Sequence, residues 1–145
     1  MAVFRDLKKL LEMAVVWEER LTDFYDAVER TSRAKELCQN IVLLKKRHVE
    51  NLDIVRCIDI EAYGKDEWIQ NVPEIDVENL LCLSSVTEDM SMREIFARVL
   101  KFERRMKEFY GFVADKVIDI DEKELFESLV QFKDWQIIEI RRNLE

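Results

Sequence analysis

Six polar residues interrupt the apolar stripes of this sequence, at spacings that would let their side chains meet. They are Glu18, Lys45, His48, Glu103, Lys133 and Gln136. Each lies near the middle of a predicted helix, so in a helical bundle all six would lie at one level. Because burying a charge without a partner is very costly, they are predicted to form one shared network. Carboxylates and imidazoles bind metal ions, whereas a protonated lysine donates hydrogen bonds and cannot ligate a cation.

Four helices are predicted to position these residues, over residues 4–30, 33–62, 91–118 and 122–144. Apolar residues recur at alternating steps of three and four in each segment, which is the pattern of an amphipathic helix. Thr31-Ser32 is a predicted cap for the second helix. Capping-box patterns open the third helix at Ser91–Glu94 and the fourth at Asp121–Glu124.

The connections between these helices predict the topology. Helices one and two are joined by about two residues and helices three and four by about three to five, so each pair is expected to be an antiparallel hairpin. The longer connector, residues 63–90, contains the single proline and several apolar residues. It is expected to cross over along the bundle, with a short helix near Glu74–Leu83. The predicted fold is all-α: one four-helix-bundle domain over residues 1–145, built from two hairpins and a long crossover.

Composition supports this fold and excludes several classes of function. The 145 residues are 48% hydrophobic and 37% charged, which excludes a disordered chain, and only 2 glycines and 1 proline leave almost no residues for the tight turns of a β-sandwich or barrel. The net charge of −8 disfavours nucleic acid or an anionic membrane as a partner. The sequence has no membrane-spanning stretch of about 18 apolar residues and no signal-peptide core, so a cytoplasmic location is expected.

The two predicted hairpins also resemble each other. Residues Glu18–Tyr25 align with Glu103–Tyr110 at an offset of 85, since both begin with glutamate and end in Phe-Tyr. Lys35–Leu37 aligns with Lys123–Leu125 at an offset of 88, which also pairs Lys45 with Lys133 and His48 with Gln136. An internal repeat of a helical hairpin is typical of a bundle with pseudo-twofold symmetry.

This repeated pattern resembles the rubrerythrin branch of the ferritin-like superfamily, over about Phe4–Ala62 and Ser91–Leu144. In that family the bundle holds two irons through one glutamate from each of two helices and a Glu-x-x-His motif from each of the other two. By this resemblance Glu18, His48 and Glu103 are remnant ligand positions. Lys45 and Lys133 replace the two motif glutamates, and Gln136 replaces the second histidine.

Charge counting favours loss of the metal centre. Two carboxylates face two ammonium groups, so the predicted network is neutral without metal. Lys45 and Lys133 are therefore both expected to point into the bundle centre and to pair with Glu18 or Glu103. No cofactor is predicted, and the chain is interpreted as a non-enzymatic structural or interaction module. The alternative is an iron-binding oxidoreductase, handling peroxide or oxygen, with a reduced or rebuilt site.

Other interpretations of single residues remain open. Glu18 and Glu103 would be surface glutamates if the stripes were rotated by one position, and a lone histidine such as His48 is more often a hydrogen-bonded core or boundary residue than a metal ligand. Tyr25 and Tyr110 are expected to be core aromatics with bonded hydroxyls. The remaining predictions concern the three cysteines, expected to be reduced and buried, and a homodimer contact on the crossover. Those cysteines are Cys38, Cys57 and Cys82, and the contact residues are Trp68, Leu80, Leu81 and Leu83. No protein partner other than a second copy is predicted.

Overall fold

The architecture was determined from a computed structural model, which describes residues 4–31, 35–58 and 68–144. Side chains are described from residue 6 in the first segment and from residue 39 in the second. The elements in chain order are β1 (Phe4–Asp6), α1 (Leu7–Thr31), α2 (Lys35–Arg56), β2 (Trp68–Gln70), α3 (Val77–Leu81), α4 (Met92–Lys116) and α5 (Ile120–Leu144), with a 3-10 turn at Leu83–Ser85 before α4. Over these described ranges, the protein is therefore all-α apart from one short ribbon.

The four long helices pack as two pairs, α1 with α2 and α4 with α5. Both pairs are antiparallel, as the short connections predict: Lys45 and Arg56 of α2 pair with Asp26 and Glu19 of α1, in reversed order. Buried side chains from all four helices join one hydrophobic core, because each helix places its apolar stripe on its inner face. The predicted helical hairpins are confirmed, and the molecule is bundle-like.

Helix ends show where the sequence prediction was right and where it was wrong. The Ser91 hydroxyl accepts a hydrogen bond from the Glu94 amide at 3.1 Å, which confirms the cap of α4. The cap of α5 is Asp119 rather than Asp121, since its carboxylate accepts the Glu122 amide at 3.0 Å. Helix α2 ends at Arg56 instead of residue 62. The predicted cap at Ser32 lies outside the described residues.

The crossover contains the predicted short helix and an unpredicted strand. Helix α3 packs against α4 and α1. The Arg98 guanidinium of α4 holds it by donating to the backbone oxygens of Leu81 and Cys82, at 3.2 and 3.3 Å. Strand β2 pairs antiparallel with β1, with Arg5 opposite Ile69. Phe4–Asp6 was predicted to begin the first helix, so its extended conformation is a correction, and β2 explains it by providing a hydrogen-bonding edge.

Two smaller predictions also need correction. Cys57 is exposed and Cys82 is partly exposed, so these thiols are not the buried cysteines that were expected; the Cys38 side chain lies outside the described residues. Leu81, the last residue of α3, is fully buried and therefore cannot contribute to a surface contact. Among the helices that the structure describes, none is both long and apolar enough to cross a membrane.

Candidate functional site

The centre of the molecule holds a lysine bound between two glutamates from different helices. The Lys133 ammonium of α5 donates to Glu18 Oε1 of α1 at 2.8 Å and to Glu103 Oε1 of α4 at 2.9 Å. All three side chains are completely buried. The alternative in which the glutamates lie on the surface is therefore excluded, and three of the six predicted residues form one ionic cluster.

The apolar stripes explain why these charged side chains point inward. Glu18 lies one helical turn from the buried residues Ala14 and Leu21, and Glu103 lies one turn from Val99 and Met106. A residue three or four positions from a core residue shares its helix face. Lys133 likewise lies four residues after Leu129 on α5. Its ammonium also lies 5.7 Å from the ring centroids of Phe102 and Phe132, within the range of cation–π attraction.

Tyr110 and His48 also hydrogen-bond to Glu18, the first at its carboxylate and the second at its backbone oxygen. The Tyr110 hydroxyl donates to Glu18 Oε2 at 3.1 Å. His48 Nε2 lies 2.8 Å from the Glu18 backbone oxygen, and since a carbonyl oxygen only accepts, Nε2 carries the hydrogen. The structure therefore makes His48 a hydrogen-bonded core histidine. The bonded hydroxyl expected for Tyr110 is confirmed.

Gln136 is also buried, but it hydrogen-bonds to the backbone of another helix rather than to the ionic cluster. Its amide nitrogen donates to the Leu44 backbone oxygen of α2 at 3.4 Å. This bond links the second hairpin to the first, as the His48 bond links α2 to α1. His48 and Gln136, which align in the sequence repeat, thus both donate to a backbone carbonyl of a neighbouring helix.

Lys45 does not point into the centre, and the prediction for this residue was wrong. Its ammonium pairs with Asp26 and, at 3.5 Å, with Glu29, both on α1. The side chain keeps 28% of its surface exposed. These ion pairs raise the pKa of Lys45, chiefly through the hydrogen bond to Asp26. A long lysine side chain can reach the rim of a helix pair, where its charge stays hydrated, and this costs less than burial.

Because Lys45 lies at the rim, the charge balance of the centre differs from the predicted one. Two carboxylates now share one buried ammonium. Burial raises the pKa of the Glu103 carboxyl to about 7; the attraction of Lys133 opposes this shift and the repulsion of Glu18 adds to it. Burial acts to lower the pKa of Lys133, but the two carboxylates outweigh it and raise the pKa above its usual range. Burial lowers the pKa of His48 to about 4, so His48 is neutral near pH 7.

Three buried polar atoms near the cluster have no hydrogen-bond partner among the described residues. They are the Tyr25 hydroxyl, His48 Nδ1 and Glu103 Oε2. Tyr25 was expected to have a bonded hydroxyl, and this prediction was wrong. Burial, followed by the charges of Glu103 and Glu18, raises the pKa of Tyr25 well above its usual range, so its hydroxyl keeps its hydrogen.

The residues present do not fit a di-iron centre. Such a centre in a helical bundle takes a glutamate from each of two helices and Glu-x-x-His from each of the other two. Lys133 lies between the two remaining glutamates and binds an oxygen of each. Among the residues that the structure describes, no group of three or more His, Cys, Asp or Glu side chains could hold a metal ion. Lys133, Glu18 and Glu103 are paired with one another instead.

Comparison with known proteins identifies a structural relative but no family. The structure of a hypothetical protein from Pyrococcus furiosus is similar to this chain, with a TM-score of 0.67 and 19% sequence identity. The similarity covers 94% of this chain and 87% of that one. No protein-family model and no curated protein matches the sequence. At this level of identity, the chain is similar to that protein in fold alone.

Proposed function

We propose that this chain is a ferritin-like bundle of the rubrerythrin-like branch that has lost its di-iron centre and serves as a non-enzymatic structural or interaction module. The observation that carries the proposal is the Lys133 ammonium, bound to Glu18 and Glu103 inside the bundle. The sequence repeat and the two antiparallel hairpins support the ferritin-like assignment, because two hairpins joined by one long crossover form a known bundle topology.

The chemistry of the cluster supports the loss of the metal. Each remnant glutamate uses one carboxylate oxygen to bind Lys133, and Tyr110 donates to the second oxygen of Glu18. The raised pKa of Lys133 keeps its side chain protonated near pH 7, and a protonated amine cannot ligate a cation. A metal ion at this place would have to displace a buried ammonium and lose two charge-assisted hydrogen bonds.

The test is metal analysis of the protein purified from iron-supplemented cells, together with its visible absorption spectrum. We expect a colourless protein without stoichiometric iron. A variant that restores the full set of ligands, Lys45→Glu, Lys133→Glu and Gln136→His, should gain stability only when iron is added. Lys45→Glu alone is the matched control, since Lys133 still blocks the centre. About two irons per natural chain would instead support the iron oxidoreductase.

A homodimer is the interaction that we propose for this module. Trp68, in strand β2 of the crossover, exposes 62% of its surface, and Leu80 and Leu83, further along the crossover, are half-buried. These residues offer apolar area to a second copy even though Leu81 is buried. Exposed aromatic side chains are typical anchors of protein interfaces.

The dimer can be tested with two tryptophans of almost equal exposure. Trp68→Glu should convert the dimer to a monomer, as measured by light scattering or sedimentation. Trp135→Glu on α5, where the tryptophan is 63% exposed, is the control and should leave the dimer intact. A natural protein that stays monomeric at high concentration contradicts the dimer. Dissociation by the Trp135 change alone would contradict the crossover contact.

A further inference from the structure

Three polar atoms that have no hydrogen-bond partner in the described part of the chain belong to completely buried residues on three helices. Tyr25 is on α1, His48 on α2 and Glu103 on α4, and none of these residues is accessible to solvent. The atoms are the Tyr25 hydroxyl, His48 Nδ1 and Glu103 Oε2. Buried polar groups in native proteins are almost always hydrogen-bonded to protein or to ordered water, so three such atoms near one cluster need an explanation.

Contacts connect these three residues to the same part of the core. The Tyr25 ring packs edge-on against the His48 ring, with centroids 5.9 Å apart. The charge of Glu103 raises the pKa of the Tyr25 hydroxyl more than the charge of Glu18 does, although burial is the largest cause of the shift. The other oxygen of Glu103 binds Lys133, and the charge of Lys133 also contributes to the lowered pKa of His48. These contacts place the three residues in the part of the core that holds the ionic cluster.

The sequence repeat gives an independent reason to group Tyr25 with Glu103. Tyr110 donates directly to Glu18 Oε2. At the offset of 85, Tyr110 corresponds to Tyr25 and Glu18 corresponds to Glu103. A pseudo-twofold relation between the hairpins would direct the Tyr25 hydroxyl towards Glu103 Oε2, which has no hydrogen-bond partner among the described residues. On this side of the cluster, the direct tyrosine–glutamate bond is not made.

The hydrogen-bonding capacity of the three atoms defines what would satisfy them. His48 Nδ1 only accepts, because the imidazole is neutral and its hydrogen is on Nε2. Ionised Glu103 Oε2 also only accepts, and the single hydroxyl hydrogen of Tyr25 can serve only one of them. One water molecule completes all three: it donates to Nδ1 and to Oε2, and accepts from Tyr25. If Glu103 is protonated, the water accepts from the Tyr25 hydroxyl and from the Glu103 carboxyl, and it donates to His48 Nδ1.

We propose that Tyr25, His48 and Glu103 form a binding site for one ordered internal water molecule beside the Lys133 cluster. Three hydrogen bonds are the usual number for a buried water in a protein. The competing occupant is a monovalent cation, since two carboxylates face only one ammonium. Lone pairs of all three atoms could then coordinate the ion.

The test compares the natural protein with Tyr25→Phe and with Tyr110→Phe as matched control. Oxygen-17 relaxation dispersion should show one long-lived water fewer in Tyr25→Phe and no change in Tyr110→Phe. A crystal structure of the natural protein should place a water within about 2.6–3.2 Å of the three atoms. Unchanged dispersion in Tyr25→Phe, or direct bonds among the three residues in the crystal, would overturn the proposal.

Stability measurements distinguish water from a cation. If water occupies the site, the unfolding midpoint of the natural protein should be the same in sodium, potassium and tetramethylammonium chloride at equal ionic strength. A midpoint that is higher with sodium or potassium in the natural protein, and unaffected by salt identity in Tyr25→Phe, would mean that a cation binds there and would overturn the water site.

Discussion

The two hairpins place corresponding lysines in opposite environments. Lys133 of the second hairpin is completely buried between two glutamates, whereas Lys45 of the first hairpin lies at the rim with 28% of its side chain exposed. The two lysines align in the sequence repeat, and each lies three residues before a buried hydrogen-bonding residue, His48 or Gln136. Equivalent positions in a repeat therefore do not guarantee equivalent burial.

The partners available at the rim explain the difference. Lys45 pairs with Asp26 and Glu29 of α1. At the offset of 85, the corresponding positions in α4 are Gly111 and Ala114, which carry no charge. Lys133 therefore has no such carboxylates at the rim and pairs with the two in the centre. The direction of a boundary lysine is decided by which carboxylates its neighbouring helix offers.

The largest expected effect comes from replacing Lys133, and the same change at Lys45 provides the comparison. Lys133→Met should lower the free energy of unfolding by about 3–5 kcal/mol, because it leaves two buried carboxylates without their cation. Lys45→Met should cost under about 1 kcal/mol, as for other hydrated ion pairs. Chemical denaturation of both variants measures the difference. Equal losses would mean that Lys45 also contributes a buried charge.

The pH dependence of stability should separate His48 from Glu103. A histidine with a lowered pKa destabilises the fold as pH falls from about 6.5 to about 4. A carboxyl with a raised pKa destabilises it as pH rises from about 4.5 to about 7. Between pH 4.5 and 6.5 the two effects oppose each other in the natural protein.

Two variants expose these effects by comparison with the natural protein. As pH rises through the window, His48→Gln should become less stable relative to the natural protein, whereas Glu103→Gln should become more stable relative to it. Each proton is worth at most about 1.4 kcal/mol per pH unit. Denaturant unfolding at a series of pH values measures both trends. Parallel trends in the two variants would contradict the raised pKa of Glu103.

The smallest expected effect concerns the rim partners of Lys45. The double change Asp26→Ala and Glu29→Ala should lower the pKa of Lys45 towards its ordinary value, because the raising contacts come from these two carboxylates. The pKa of Lys133 should not change, since its partners are in the centre. NMR titration of the lysine side chains measures both. A pKa of Lys45 that stays raised would show that other groups hold its charge.

The sequence predicts the helical hairpins well because four long amphipathic stripes and two short connections carry that information. It also predicts that Glu18, Glu103 and Lys133 meet, since a buried charge needs a partner. The stripe alone cannot tell a central lysine from one at the rim, as Lys45 shows; the signal was in Asp26 and Glu29 of the neighbouring helix. Tyr25 looks equivalent to Tyr110 in the repeat, and only the packed structure reveals that its hydroxyl lacks a direct partner.

The short ribbon could not be predicted from local pattern. Phe4–Asp6 continues the apolar spacing of α1, and three residues are too few to show the alternation of a strand. Its extended conformation depends on Trp68–Gln70, which is distant in the chain. The cap of α5 was missed for a related reason, because Asp119 and Asp121 are equally good capping residues in the sequence and only the backbone path selects one.

The β1–β2 ribbon has a consequence for how the protein folds and opens. The pairing of Asp6 with Trp68 closes a loop of about 60 residues that contains the whole first hairpin, whereas each hairpin forms from contacts close in sequence. Local contacts form early and long loops close late, so we expect the ribbon to form after the helices. It should also open first, because three residue pairs hold it, and its amides should exchange with deuterium sooner than those of α4 and α5. Release of the ribbon would free the N-terminal strand without unfolding the ionic centre.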